Sequence, residues 1–261
     1  MAADVHHWDD GVFVRQVHVY DAGTSGDVGC DSILKSSKKF VSLQVDRRGA
    51  IGAFLKEELT MNNENLYVLL PDFAEHEMVY LAEAVASDEY ALKENPKYVN
   101  KIVAPTMEPV KSIGGFRMLP DYSFDTMPED YAALVLVGGF GWTTPIADKV
   151  VSIVKHAIEN GKIVGAICNA SSFMAKHGFL NNIKHTGNGI EQLSSWGGEN
   201  YTNPDGYVNT QAVSDANIVT ANGSATLEFA KELLLLLEND TPERIEMYYQ
   251  FNKQGFCELF K

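Results

Sequence analysis

Cysteine is scarce and scattered: Cys30, Cys168 and Cys257 are the only three in 261 residues. No two have the close spacing of a metal site, and an odd count is a poor disulfide framework. A reducing compartment is therefore expected. Basic residues are also short, 21 Lys+Arg against 35 Asp+Glu, for a formal charge of −14. Nucleic acid and anionic membranes attract basic faces, so neither is expected as a partner. The longest strongly apolar helical stretch, Phe229 to Leu237, falls well below the roughly 20 residues that span a bilayer. The opening Met-Ala-Ala-Asp-Val-His-His-Trp-Asp-Asp has neither a basic n-region nor an apolar run. No signal peptide is visible, and the expected location is cytoplasmic. Internal repeats and low-complexity tracts are missing too.

What is present is ordinary globular material, 45% hydrophobic and 21% charged, enough for a sizeable core in one or two domains. From Met61 onward, apolar runs alternate with helical patterns. Leu66–Leu70, Ala132–Val137, Ile163–Ile167 and Asn217–Thr220 read as buried strands. Helices are expected through Met78, Leu81, Ala82 and Val85, over Pro145–Ile158, over Ser171–His177 and over Ala225–Leu237. This alternation predicts a mostly parallel sheet covered on both faces. Tyr98–Ser112 and Phe116–Leu119, around Gly114-Gly115, read as a strand pair inserted before the second parallel strand. Met247–Lys261 is an aromatic-rich tail, expected to form a last helix packed on the body.

Residues 1–60 read differently. Val12–Tyr20 and Phe40–Val45 alternate weakly, and no element is well bounded. Lys56-Glu57-Glu58 can be encoded by a purine-rich stretch resembling a bacterial ribosome-binding sequence, two codons ahead of Met61. The expectation is a leader over 1–60, an α/β domain over 61–240 and a helical tail over 241–261. A short accessory β-domain is the alternative for the first segment.

Three pieces of the α/β part bear chemistry. In Val164-Gly165-Ala166-Ile167-Cys168-Asn169-Ala170-Ser171-Ser172, Cys168 falls where a buried strand turns into a helix. A nucleophile elbow needs this geometry, with small residues such as Ala166 and Ala170 two positions to each side. The helix N-terminus favours thiolate; the bland alternative is a small buried hydrophobe. In Pro71-Asp72-Phe73-Ala74-Glu75-His76-Glu77-Met78, carboxylates reach the carboxyl edge of the sheet, where open α/β sheets bind ligands. Helix-terminal charge alone is the alternative for Glu75 and Glu77. A zinc-protease motif from His76-Glu77 would need His at position 80, which is Tyr80. In Leu136-Val137-Gly138-Gly139-Phe140-Gly141-Trp142, glycines can turn backbone N–H groups toward an oxyanion. A dinucleotide fingerprint fails for want of its last glycine at Thr144. Neither a metal nor a cofactor is expected.

A Glu after the first strand, Gly-Gly after a middle strand and Ala-Ile-Cys at an elbow, in this order, resemble the PfpI family. That superfamily includes PfpI-type proteases and the parkinsonism-associated deglycase, and shares its fold with class I glutamine amidotransferase domains. Ile218-Val219-Thr220-Ala221-Asn222-Gly223-Ser224, leading to Glu228-Phe229-Ala230, is similar to the family's last strand and helix. The resemblance covers about 65–238, and Pro109–Phe116 with Asp121-Tyr122-Ser123 is similar to its bacterial amidotransferase-like members. It implies a flavodoxin-like three-layer α/β sandwich. It implies Cys168 as nucleophile, Glu77 as the carboxylate beside the sulfur, and Gly138, Gly139 and the Asn169 N–H around an oxyanion. His185 stands near the place of a later family histidine, one residue off in register being enough to turn it away. Asn169 replaces the histidine that follows the cysteine in PfpI-type proteases, so the elbow lacks its adjacent base. The late His-x-Glu pair of true amidotransferases is also missing. The resemblance implies a cysteine-dependent hydrolase acting on a small-molecule or damaged-protein substrate, and a homodimer. An oxidisable, non-hydrolytic protective protein is the alternative.

Overall fold

The computed structural model describes residues 63–87 and 93–258 in full, the backbone of residue 259, and five strands between residues 1 and 60. The chain divides into two compact units, Met1–Thr60 and Met61–Lys261. In the first, β1 (Val5–Asp9) pairs antiparallel with β2 (Val12–Gln16). β3 (Ser32–Ser36), β4 (Lys39–Val45) and β5 (Ile51–Phe54) form an antiparallel sheet. The strands around Val12 and Phe40 are thus better bounded than their weak alternation suggests. Cys30 and the Lys56–Met61 junction lie outside the described residues.

The second unit runs through β6 (Glu64–Val68), α1 (His76–Ala86), β7 (Val99–Ala104), β8 (Val110–Lys111), β9 (Arg117–Met118), β10 (Tyr122–Ser123) and β11 (Ala133–Leu136). It continues through α2 (Val150–Glu159), β12 (Ile163–Ile167), α3 (Asn169–Lys176) and α4 (Ile190–Gly197). β13 (Ala212–Asp215), β14 (Ile218–Ala221), α5 (Thr226–Leu236), α6 (Pro242–Gln254) and α7 (Phe256–Leu259) complete it. The central sheet has the order β10-β7-β6-β11-β12-β14-β13, parallel throughout except for β13.

Alternation along the inner strands divides the core into two layers, because successive side chains point to opposite faces. Leu66, Val68, Leu134, Leu136, Val164 and Ala166 face one cluster, with Val150 and Val154 of α2 and Phe173 and Met174 of α3. Tyr67, Val135, Ile167, Val219 and Ala221 face the other, with Leu81 and Val85 of α1 and Phe229 and Leu233 of α5. Both faces are covered, which explains the continuous apolar runs. The fold is the expected three-layer α/β sandwich. Ile245 of α6 is buried in the second cluster, and Tyr248 donates to the Tyr80 carbonyl at 3.1 Å.

Two expectations change. Val99–Ala104 belongs to the parallel sheet, paired with β6, and not to an inserted pair. Its outer neighbour β10 spans only two residues, so Asn100 and Lys101 stay partly exposed and the strand reads as polar. The inserted antiparallel pair is β8 with β9 alone, Val110 opposite Met118. Pro145–Lys149 forms a 3₁₀ turn, and the α-helix proper starts at Val150.

Candidate functional site

The site gathers at the carboxyl ends of β6, β11, β12 and β14, on both sides of the point where the chain order reverses. Open α/β sheets form ligand crevices there. Cys168 sits between β12 and α3 with φ 60° and ψ −126°, a left-handed backbone that a non-glycine residue adopts only under constraint. Its amide donates to the Ala221 carbonyl at 3.0 Å, and its carbonyl accepts from Ser171 at 3.1 Å. The Ser171 hydroxyl lies 2.9 Å from the Ala166 carbonyl and 3.0 Å from that of Ala221. Ala166 and Ala170 are fully buried. These contacts hold the turn that half-exposes the sulfur.

Glu77, one residue into α1, is only 3% exposed and interacts with the Cys168 thiol. Two glycines bracket the pair. A Cβ on Gly138 would fall 2.2 Å from Glu77 Oε2 and 2.6 Å from Cys168 Cβ. One on Gly223 would fall 2.9 Å from the sulfur and 3.3 Å from Glu77 Oε1. The carboxyl and the thiol can touch because neither glycine carries a side chain. Glu77 Oε2 lies beside Gly138, yet it is buried without a hydrogen bond of good geometry.

Burial pushes the Glu77 carboxyl up from its ordinary 4.5 to about 7; the thiol and the Gly138 amide pull the other way. The Cys168 thiol is also pushed up, first by burial and then by the charge of Glu77. The Asn188 amide and the Asn169 N–H act in the opposite direction. The helix N-terminus therefore favours thiolate as expected, but desolvation and the carboxylate outweigh it. The two groups form one titrating unit.

Gly139 has φ +131°, and a Cβ there would meet the Asp72 carbonyl at 2.3 Å. It is bridged to Phe73 through Ala74 N to Gly138 O at 3.0 Å and Phe140 N to Asp72 O at 3.0 Å. That bridge leaves the Gly139 N–H outside it. The Asn169 side chain donates to the Gly139 carbonyl at 2.9 Å and accepts from Gln192 at 2.8 Å. Gln192, Asn169 and Gly139 thus tie α4, the elbow and the glycine turn together.

His185 is not brought to the sulfur. It is fully buried, with Nε2 2.6 Å from the Tyr201 hydroxyl and Nδ1 2.9 Å from the Ile183 carbonyl. Its register, bridged to Tyr207, turns the ring into the core; burial lowers its pKa. Asn188, three residues later, donates to Cys168 Sγ at 3.4 Å. Asn188 and Gly223 are the site residues that the sequence reading missed. The run Gly187-Asn188-Gly189 was the available signal, because a polar residue between glycines often marks a turn that presents a side chain. Glu75 is not at the sulfur either. It accepts from Gly114 N at 3.3 Å, and its pKa is lowered first by its own backbone amide.

The model of the DJ-1/PfpI family matches residues 65–236, which hold every residue of this site. The chain belongs to the DJ-1/PfpI family. A Bacillus subtilis DJ-1/PfpI relative named "Uncharacterized protease YdeA" is 36% identical over 192 residues, 73% of this chain and 91% of that protein. A Caenorhabditis elegans protein named a glutathione-independent glyoxalase is 26% identical over 140 residues, 52% of this chain and 71% of its own. Among solved structures, the thiJ/pfpI family protein from Bacillus anthracis superposes with a TM-score of 0.70 at 32% identity. The match covers 76% of this chain and 94% of that one. The DJ-1 superfamily protein Atu0886 from Agrobacterium tumefaciens reaches 0.65 at 31%, covering 74% and 98%.

Proposed function

We propose that this DJ-1/PfpI chain is a cysteine-dependent enzyme for small carbonyl compounds, converting a 2-oxoaldehyde and water into a 2-hydroxy acid. One observation carries the reading. The group in contact with Cys168 that can move a proton near neutrality is Glu77, held at about 7, while Asn188 stands where a histidine base was expected. Carbonyl addition suits such a pair. The sulfur bonds to the aldehyde carbon, its proton passes through Glu77 to the aldehyde oxygen, and that oxygen is held by the Gly139 and Asn169 N–H groups. Glu77, now unprotonated, takes the hydrogen from that carbon as a proton and returns it to the neighbouring carbonyl carbon, while the hydroxyl proton moves to the neighbouring oxygen. This leaves a 2-hydroxyacyl thioester. Water cleaves the thioester, releasing the acid and restoring the thiol with no net oxidation. Peptide cleavage fits less well, because Asn169 stands where PfpI-type proteases carry the base adjacent to the cysteine. The glyoxalase name of the nematode relative points the same way.

The test is turnover of methylglyoxal to lactate. Cys168→Ala should abolish it, and Glu77→Gln should lower kcat by about 10²–10⁴. Activity that survives Cys168→Ala refutes the reading. A second reading, oxidation of Cys168 to a sulfinate, is favoured by the donors around the sulfur, a protonated Glu77 and the Asn188 amide. A gain of two oxygen atoms on Cys168 under peroxide, without any turnover, would select it. The homodimer implied by the resemblance is carried with the main reading, and light scattering on the full chain tests it.

A further inference from the structure

An open cleft of about 770 Å³ lies beyond two neighbours of Cys168, which is not itself in the cleft wall. Asn188 and Gly223 belong both to its wall and to the surroundings of Cys168. The remainder of the wall comes from Gly187 and Gly189 beside Asn188, from the Tyr207–Gln211 segment and from the turn after β14.

The chemistry of this wall is unusual for a chain in which 21% of residues are charged. None of its lining residues is charged. A phosphate or carboxylate bound there would find no cation to pair with. Large apolar side chains are few, since Tyr207 supplies the one aromatic ring and three of the positions are glycine. What remains is amide and hydroxyl. The Asn222 amide donates to Gln211 Oε1 at 2.7 Å, and Gln211 Nε2 reaches the Ser224 hydroxyl at 3.4 Å. Ser224 donates in turn to Asn222 Oδ1 at 2.7 Å. Asn222 is spent on these bonds, because its amide also reaches the Gln211 carbonyl at 3.4 Å and its oxygen also accepts the Ser224 amide at 3.0 Å. Gln211, fixed by one bond at each end, keeps a second hydrogen and a second lone pair for a ligand. Side-chain amides offer a donor and an acceptor side by side, which matches two neighbouring hydroxyls.

We infer that the cleft holds the hydroxylated tail of a sugar-derived 2-oxoaldehyde, and that Gln211 and Asn209 help select it over the methyl-substituted compound. The inference rests on the carbonyl reading above for the reactive end and adds the identity of the tail. With the aldehyde carbon at Cys168, Asn188 stands between the reacting atoms and the cleft, so the chain beyond the second carbon extends along the amide wall.

Two measurements on the full chain test this. The first compares kcat/KM for 3-deoxyglucosone and for methylglyoxal. The hydroxylated compound should be preferred, and Gln211→Leu should reduce the preference about tenfold, the usual consequence of one lost polar pairing. Asn209→Ala, at an exposed position where folding is not at risk, should reduce it in the same direction. Equal values for the two compounds, or a ratio unmoved by both substitutions, overturn the inference and leave the carbonyl reading standing. The second measurement needs no catalysis. Saturation-transfer NMR of sorbitol, which has no carbonyl, should show contact with the Cys168→Ala chain that weakens with Gln211→Leu or Asn209→Ala. If turnover fails for both aldehydes yet sorbitol contact depends on these residues, the carbonyl reading falls and the polyol cleft stands. Absent sorbitol contact, or contact indifferent to both substitutions, overturns the cleft.

Discussion

Asn188 ties the sulfur to the turn after β14: its Nδ2 donates to Cys168 Sγ at 3.4 Å while its Oδ1 accepts the Gly223 amide at 2.9 Å. The two halves of this contact can be separated. Asn188→Asp keeps an acceptor for Gly223 but replaces the donor at sulfur with a negative charge. Asn188→Ala removes both. If the donor to sulfur is what matters, alkylation of Cys168 at neutral pH should slow in both, more in Asp than in Ala, by about tenfold or more. Melting temperature should fall only in Ala. Slower alkylation confined to Ala would assign Asn188 to holding the turn.

Glu77 makes stability depend on pH in a predictable direction. Its carboxyl titrates near its ordinary 4.5 when unfolded and at about 7 when folded. Between those values the folded chain binds more protons than the unfolded one. Stability from this group is therefore full below about 4.5 and declines as pH rises through 7. The decline amounts to at most about 3 kcal/mol. Glu77→Gln keeps the shape without the proton and should flatten this part of the profile. Urea unfolding from pH 4.5 to 8 in both proteins measures it, and parallel profiles would show that Glu77 ionises freely.

Gly138→Ala tests whether the close approach of thiol and carboxyl is required. The added Cβ would meet Glu77 Oε2 at 2.2 Å, Cys168 Cβ at 2.6 Å and the Ile167 carbonyl at 2.8 Å. One of these contacts is backbone, so the strand end itself must move. A loss of about 2–3 kcal/mol is expected, together with loss of methylglyoxal turnover. Normal stability and activity would mean that the turn is looser than these distances require.

The inner strands were legible because burial on both faces leaves only apolar residues, as in Leu134–Leu136 and Val164–Ile167. β7 was misassigned for the converse reason, since a thin two-residue neighbour leaves Asn100 and Lys101 partly exposed. At the site, Cys168 stood out through its neighbours Ala166 and Ala170, because an elbow constrains positions adjacent in sequence. The partner across the sulfur was harder to find. Whether His185 or Asn188 faces Cys168 depends on the register of a short bridge to Tyr207, which is set by contacts distant in sequence.

A chain begun at Met61 should keep its cooperative unfolding. Every strand of the seven-stranded sheet comes from residues 64–221, and among the described residues all helices lie beyond residue 75. Melting temperature and Cys168 alkylation rate should match those of the full chain. A melting temperature lower by ten degrees or more, roughly 3–5 kcal/mol for a domain of this size, would assign residues 1–60 a part in the fold.

Alkylation also ranks the cysteines. A buried Cys257 in the aromatic tail would react more slowly than Cys168. Instead, Cys257 is exposed, as are Phe251 and Phe256 beside it, and Cys168 is half-buried. The Cys168 thiol is held up by burial and by the Glu77 charge, so less of it is thiolate at neutral pH. Cys257 should therefore label faster with iodoacetamide at pH 7. Glu77→Gln removes the second of these causes and should speed labelling at Cys168 while leaving Cys257 unchanged. Peptide mapping after brief exposure reads both sites in one sample, with Cys257 as the internal reference. A Cys168 rate above that of Cys257 in the unmodified protein would mean that the Asn188 amide and the Asn169 N–H outweigh burial and the carboxylate. It would also place the shared proton of the pair on Glu77.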